Sequence, residues 1–326
     1  MIGAAMLYGW VISALILMTA WVIERFLQVQ GVQTRRVWLA ALAGTVLIPG
    51  TAMVWKDAPP AFELDGEIVP TSQAAGVMMD GVATLASLDA LLLTGWVVAS
   101  IALLLYFAGG FAISAWRSRA WTPTEIDGVE VLLTEDVGPA VIGFRSPRVV
   151  LPRWTLTLPA AERAMMLRHE CEHRDARDPM LVATAILFVV AMPWNAPVWV
   201  MARRLQLAVE VDCDRRVVDD GAHDLRRYAE LLLAVGARRV PAMGMGFSVG
   251  KPFLEQRIDR MTLPTRRQRR SYVVALMVGV LGVLGAAWSI PQPVRAMKVG
   301  HQVDYWCPDY ESDVSQRLLE SLDRAT

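Results

Sequence analysis

The chain has 326 residues, 54% hydrophobic and only 20% charged, with positive mean hydropathy and a formal net charge of zero. A neutral balance points to no polyanionic partner, so direct nucleic-acid binding is not expected. Three cysteines, Cys171, Cys213 and Cys307, lie far apart with no CxxC pair, which excludes a disulfide framework.

Four uncharged runs reach the length of about 20 residues that a bilayer-crossing helix takes. They are Gly3–Ile23, Val37–Trp55, Ala90–Trp116 and Ser271–Val294. The first lacks a basic leader and a small-x-small exit, so it reads as a retained span rather than a cleaved signal. Arginine placement gives the orientation. Arg25, Arg35 and Arg36 lie between the first two runs, Arg117 and Arg119 follow the third, and "RRQRR" (Arg266–Arg270) precedes the fourth. The stretch Lys56–Asp89 instead carries one lysine and six acids. The N-terminus and the tail after residue 294 are therefore expected outside, and the large segment 117–270 inside.

A fifth apolar run, Pro179–Ala202, is flanked by arginines on both sides and interrupted by Pro193, Asn195 and Pro197. It reads as a helical hairpin with a turn at "PWNAP", packed on or dipping into the membrane. Segment 117–270 opens with strand-like stretches at Val129–Leu133 and Val149–Leu151. A helix follows over "TLPAAERAMMLRHECEHRDARD", with Thr157 as its N-cap and Pro179 ending it.

That helix carries the chemistry. His169 and His173 are half of the four histidines in the chain. At about 100° per residue they share one face, a turn apart, and can reach one tetrahedral Zn²⁺. Glu170 and Glu172 flank the pair, and angle alone does not choose between them. The HExxH pattern assigns the general base to Glu170 and leaves Glu172 as a solvated or ion-paired charge. A catalytic zinc takes a third protein ligand. In "LAVEVDCDRRVVDDG" (residues 207–221), Glu210 and Asp214 fall within the apolar stripe of a helix, where a carboxylate is costly unless paired or metal-bound. Glu210 is thus the expected third ligand, and Asp214 the group that fixes a ligand histidine's tautomer. A buried salt bridge to an arginine is the alternative. Asp212, Arg215, Arg216 and Asp219 are expected to face solvent, and Cys213 to face away from the ion. Zinc bonds of about 2 Å require Pro179–Ala202 to turn back, or the histidines and Glu210 would lie some 30 Å apart. His223 and His301 extend no motif. "SVGK" (Ser248–Lys251) fits an acylating-serine signature but lacks its partner motifs.

The stretches "GPAVIGFRSPRVVLP", "LRHECEHRDARD", "AMPWNAPVWVMARR" and "LAVEVDCDRR" resemble the metalloprotease core of BlaR/MecR-type regulators, membrane-bound sensor-transducers of bacteria. The resemblance covers roughly residues 1–290. It implies a mostly α integral-membrane protein of the bacterial inner membrane, with four transmembrane helices and a cytoplasmic α+β gluzincin domain that has a small sheet. It also implies one Zn²⁺ on His169, His173 and Glu210, Glu170 as general base, and a substrate strand added along Ala140, Val141, Ile142, Gly143 and Phe144. Substrates would be the chain itself, a cytoplasmic repressor or both, cut in response to an outside signal. Self-cleavage would fall in the linker before the last span. Relatives that sense β-lactams carry a penicillin-binding domain outside. Here only Pro291–Thr326 follows, so β-lactam acylation is not expected. Cys307 offers a cross-link between two chains, hence a homodimer, or stands free. A CAAX-type housekeeping protease and a non-enzymatic membrane partner are the competing readings.

Overall fold

The computed structural model describes residues 2–30, 32–55, 72–135, 137–219, 225–237 and 251–262. The fourth predicted span, the tail with Cys307, His223, His301 and Ser248 of "SVGK" lie outside these residues; of the self-cleavage linker, residues 245–270, only 251–262 are described, and they form a helix.

Helix α1 (Ile2–Val29), and helix α3 (Ser72–Arg117) with the 3₁₀ turn Ser118–Ala120 that follows it, contain the two segments, Ala5–Gln28 and Leu88–Ala120, that are long and apolar enough to cross a membrane. Both helices outrun their predicted bounds, because the apolar run marks the greasy part of a helix and not its hydrogen-bonded ends. Along α1, Ile12, Ile16 and Ala20 recur every turn and are buried, while Leu7, Met18 and Trp21 face outward. From Leu88 to Trp116 the outward face of α3 is apolar except for Thr94, with Leu91, Val98, Ile101 and Leu105 exposed. That much exposed hydrocarbon has no stable place in water. The two apolar segments begin at one level, where the Gly3 amide donates to Asp89 Oδ1 at 3.1 Å.

Helix α2 (Arg35–Trp55) returns along α1 and starts two residues earlier than expected. Its cap is remote. Asp212 accepts the amides of Thr34 (3.0 Å) and Arg35 (3.1 Å), the ordinary place for an acid at the positive end of a helix. Asp212 is therefore buried, against the expectation that it faces solvent.

A four-stranded sheet follows, in the order β1-β2-β4-β3. Strands β1 (Thr122–Ile126) and β2 (Val129–Thr134) form a hairpin across Asp127-Gly128, both at positive φ, as a two-residue primed turn requires. β1 was not foreseen: Pro123 and its threonines hide a strand signal, and proline is tolerated because β1 is an edge. β4 (Arg148–Pro152) pairs parallel with β2 and antiparallel with β3 (Ala140–Ile142). The predicted substrate strand is thus shorter than Ala140–Phe144. Gly143 at φ +94° leaves the strand, and Phe144 stacks on Phe111 of α3 at 4.8 Å. A Cβ at Gly143 would fall 2.9 Å from the Ser146 carbonyl oxygen. Gly143→Ala should therefore cost about 1–3 kcal/mol of stability, read as a lowered unfolding midpoint of the detergent-solubilised chain; an unchanged midpoint would contradict the turn.

Helix α4 (Ala160–Asp175) carries the histidines. Thr157 is not its cap. A short 3₁₀ turn, Arg153–Thr157, intervenes, the Thr157 hydroxyl bonds Trp154 O, and Pro159 takes the N-cap position. After a tight turn with Arg177 at φ 54°, helices α5 (Asp178–Ala191) and α6 (Ala196–Asp219) form the predicted hairpin. Its Pro-Trp-Asn turn is pinned at three points. Asn195 Nδ2 donates to Ser13 Oγ (2.9 Å), Trp96 Nε1 donates to Ala191 O (2.8 Å), and the Trp194 ring lies 3.1 Å from where a Cβ on Gly9 would stand. Helices α7 (Leu225–Ala237) and α8 (Lys251–Thr262) complete the described chain.

The core has two parts. One joins α1, α2, α5 and the first half of α6 around Ile12, Trp38, Val189 and Met201. The other joins the sheet, α4, the end of α6 and α7 around Val131, Leu151, Met166 and Tyr228. Helix α6 runs through both, so Val211, Asp212, Cys213 and Asp214 are all buried. A single-stripe reading of that helix, with Asp212 turned to solvent and Cys213 away from the histidines, could not hold for a stretch, residues 211–214, that is buried on every side.

Candidate metal centre

The two imidazoles of α4 meet edge-on, ring centroids 4.6 Å apart, with their Nε2 atoms 3.1 Å from each other. Glu210 of α6 faces both. Its Oε2 is 3.7 Å from His169 Nε2 and its Oε1 is 3.7 Å from His173 Nε2. The hairpin turn makes this possible, because it brings α6 back alongside α4.

Each far ring nitrogen has a partner. His173 Nδ1 is 2.8 Å from Asp178 Oδ2, and Arg35 of α2 donates to Asp178 Oδ1 at 2.8 Å. Asp178 can only accept, so Nδ1 carries the proton and Nε2 keeps its lone pair. His169 Nδ1 lies 2.8 Å from the Tyr228 hydroxyl, which donates to Asp214 Oδ1 at 2.8 Å. Tyr228 therefore accepts from His169, and again Nε2 is left as a lone pair. Asp214 stands 3.6 Å from His169 Nδ1 and reaches it through Tyr228 rather than by a direct bond. The salt bridge to an arginine, raised as an alternative for these acids, is present as well: Arg257 of α8 pairs with both Glu210 (3.0 Å) and Asp214 (2.7 Å).

Glu170 is buried beside the histidines, whereas Glu172 turns away into ion pairs with Arg168 (2.9 Å) and Arg216 (2.7 Å). The two glutamates, between which angle does not choose, thus stand in opposite environments. Arg216 also approaches Asp178 at 3.8 Å and does not simply face solvent.

The electrostatics all ask for positive charge between the imidazoles. Burial opposes charge on His169, but Cys213 and Glu210 outweigh it and lift the imidazole to about 10. Burial likewise opposes charge on His173, while Glu210 and Asp178 hold it well above its usual value. For Glu210 burial works upward, yet Arg257 and the imidazoles keep the carboxylate ionised below the ordinary range. Burial raises Glu170 above that range against the pull of the histidines. Burial and Asp214 push Tyr228 far up, so it stays a hydroxyl donor.

Two lone pairs facing each other at 3.1 Å repel unless a proton or a cation lies between them. A tetrahedral ion with bonds of about 2.0–2.1 Å places its donors roughly 3.3 Å apart, close to the spacing of the two Nε2 atoms and the Glu210 oxygens. The donor set fits a divalent metal. Cys213 is a second candidate for third donor, since one ligand atom each from His169, His173 and Cys213 lies within 4.8 Å of the others. Cys213 Sγ sits 3.3 Å from His169 Nδ1, the ring nitrogen other than the Nε2 that faces Glu210, and hydrogen-bonds His169 O.

Sequence reading missed Asp178, Tyr228, Arg257 and the closeness of Cys213. Asp178 left a trace, an acid five residues past His173 at the start of the next helix. Tyr228 and Arg257 left none, because only the fold brings α7 and α8 here. Of the predicted substrate strand, β3 lies at the sheet edge with α4 packed against it, and β4 is its only strand partner among the described residues.

No curated protein matches the chain. The family model described as BlaR1 peptidase M56 matches residues 2–260, which takes in the first three helices, the sheet, the histidine helix and α8. The chain belongs to the BlaR1 peptidase M56 family, a family of membrane metallopeptidases.

Proposed function

We propose that the chain is an integral-membrane zinc endopeptidase that relays an extracytoplasmic signal by cutting itself, a cytoplasmic repressor-like protein, or both. The observation that carries this is the convergence of His169 Nε2, His173 Nε2 and the Glu210 carboxylate, with both far ring nitrogens tied to acceptors. Glu210 is the preferred third donor over Cys213 because it faces both Nε2 atoms. His169, His173 and Glu210 would hold a divalent ion, which would supply Lewis acidity for a scissile carbonyl and for water. Glu170 takes the water's proton and passes it to the departing amine. Burial, which raises its carboxyl above the ordinary carboxylate range, favours its holding a proton as well as taking one. Asp178 and the Tyr228–Asp214 pair hold the rings in register. A substrate strand would add to the open edge of β3 and lie beside α4.

Residues 1–116 would supply three spans, 117–270 the cytoplasmic protease, 271–294 a fourth span and 295–326 an outer tail. Support for the hairpin dipping into the bilayer comes from its turn, which is pinned to Ser13 halfway along α1.

Comparing cytoplasmic proteins cut in cells carrying wild type or Glu170→Ala tests the reading; identical patterns would contradict it. A narrower expectation concerns Asp178→Asn. Losing the anionic partner of His173 should weaken Zn²⁺ binding roughly 10–100-fold, measured by competition with a chromophoric chelator. Unchanged affinity would remove Asp178 from the account.

A further inference from the structure

Helix α8 enters the metal centre from outside the HExxH and ExxxD elements, and its geometry there is specific. The Arg257 guanidinium uses every donor edge. Nε and Nη2 fork onto the two oxygens of Asp214 at 2.9 and 2.7 Å, and Nη1 reaches Glu210 Oε2 at 3.0 Å. Glu210 and Asp214 stand one turn apart on α6, so one planar group spans both and fixes their relative orientation. Each carboxylate leads to the centre by its own route. Glu210 faces the two Nε2 atoms directly, and Asp214 holds the Tyr228 hydroxyl that in turn meets His169 Nδ1.

The position of α8 is itself fixed at a second point. Arg260, one turn on, donates from Nη1 to Glu24 Oε1 of α1 at 2.9 Å, and Arg204 of α6 approaches the other Glu24 oxygen at 3.6 Å. Glu24 is fully buried and stands near the C-terminal end of the first membrane-capable segment, Ala5–Gln28. Leu254 packs so closely on α7 that a Cβ on Gly236 would fall 2.7 Å from its Cδ2.

We infer that Arg257 is a positioning residue for the metal centre: its fork, held in place by α8 docked on α1 and α7, aims Glu210 at the two imidazoles and steadies the Tyr228–His169 link through Asp214. The inference rests on the metallopeptidase reading. It also makes the centre conditional on how α8 is seated, and α8 is the described element that directly precedes the last predicted span.

The test uses the full chain in detergent, with Zn²⁺ affinity from chelator competition and the absorption spectrum of the Co²⁺-loaded protein. Arg257→Lys keeps the positive charge but not the fork, and Arg257→Met loses both. The expected result is a loss of Zn²⁺ affinity of roughly 10–100-fold for Met and a smaller but clear loss for Lys. A shifted Co²⁺ spectrum should accompany each, with the unfolding midpoint of Arg257→Lys near wild type. If Arg257→Lys binds Zn²⁺ as tightly as wild type, or more tightly, with an unchanged Co²⁺ spectrum, Arg257 does not position the centre. If wild type itself binds neither ion, it is the metallopeptidase reading that fails.

Discussion

Glu170→Gln is expected to lower cleavage of a peptide bond by about 10²–10⁴-fold, the usual share of a general base, while Zn²⁺ binding stays within a few-fold of wild type. The substitution keeps size and hydrogen-bonding capacity, so a packing role would survive it. Glu170 is buried next to two imidazoles with its carboxyl raised by desolvation, while Glu172, two residues on, is neutralised by Arg168 and Arg216. The same change at Glu172 should therefore leave cleavage little affected. Purified wild type and variants in detergent, assayed by mass spectrometry on the chain's own fragments, give the measurement. Equal fragment yields from Glu170→Gln and wild type would take the proton-transfer role away from this residue.

The second large effect is at Glu210. Glu210→Ala removes one of three converging donors, so the loss of Zn²⁺ affinity should exceed the ~10–100-fold typical of an outer partner. It also leaves Arg257 with Asp214 alone in a nearly buried setting, at a cost of about 1–3 kcal/mol in stability. Cys213→Ala is the discriminating control. The Cys213 thiol is packed against His169 Nδ1 and the His169 carbonyl, so its loss should move Zn²⁺ affinity by only a few-fold. If Cys213→Ala abolishes binding and Glu210→Ala does not, the third donor has been misassigned.

Periodicity and composition made much of this molecule legible. His169 and His173 share a face because the spacing of four is a property of any α-helix, and Glu210 was marked by a carboxylate placed in an apolar stripe. Proline and asparagine within Pro179–Ala202 announced the turn, which the structure pins to Ser13 and Trp96. The readings that failed did so for lack of tertiary information. Asp212 looked like a surface acid because nothing local says that α2 begins against it. Cys213 looked remote because a helical wheel assumes one covered side, and residues 211–214 of α6 are all buried. Thr157 looked like a cap because its type is right, yet a 3₁₀ turn uses its hydroxyl first. Arg257 and Tyr228 belong to helices with no motif of their own and become part of the site only through packing.

X-ray absorption at the metal edge of the purified, Zn²⁺-loaded full chain tests the central claim most directly. The account predicts one ion per chain with a shell of nitrogen and oxygen donors at about 2.0–2.1 Å, two of them imidazole, and that shell lost in the His169→Ala, His173→Ala double variant. A sulfur shell near 2.3 Å, or a chain that holds no ion, would contradict it.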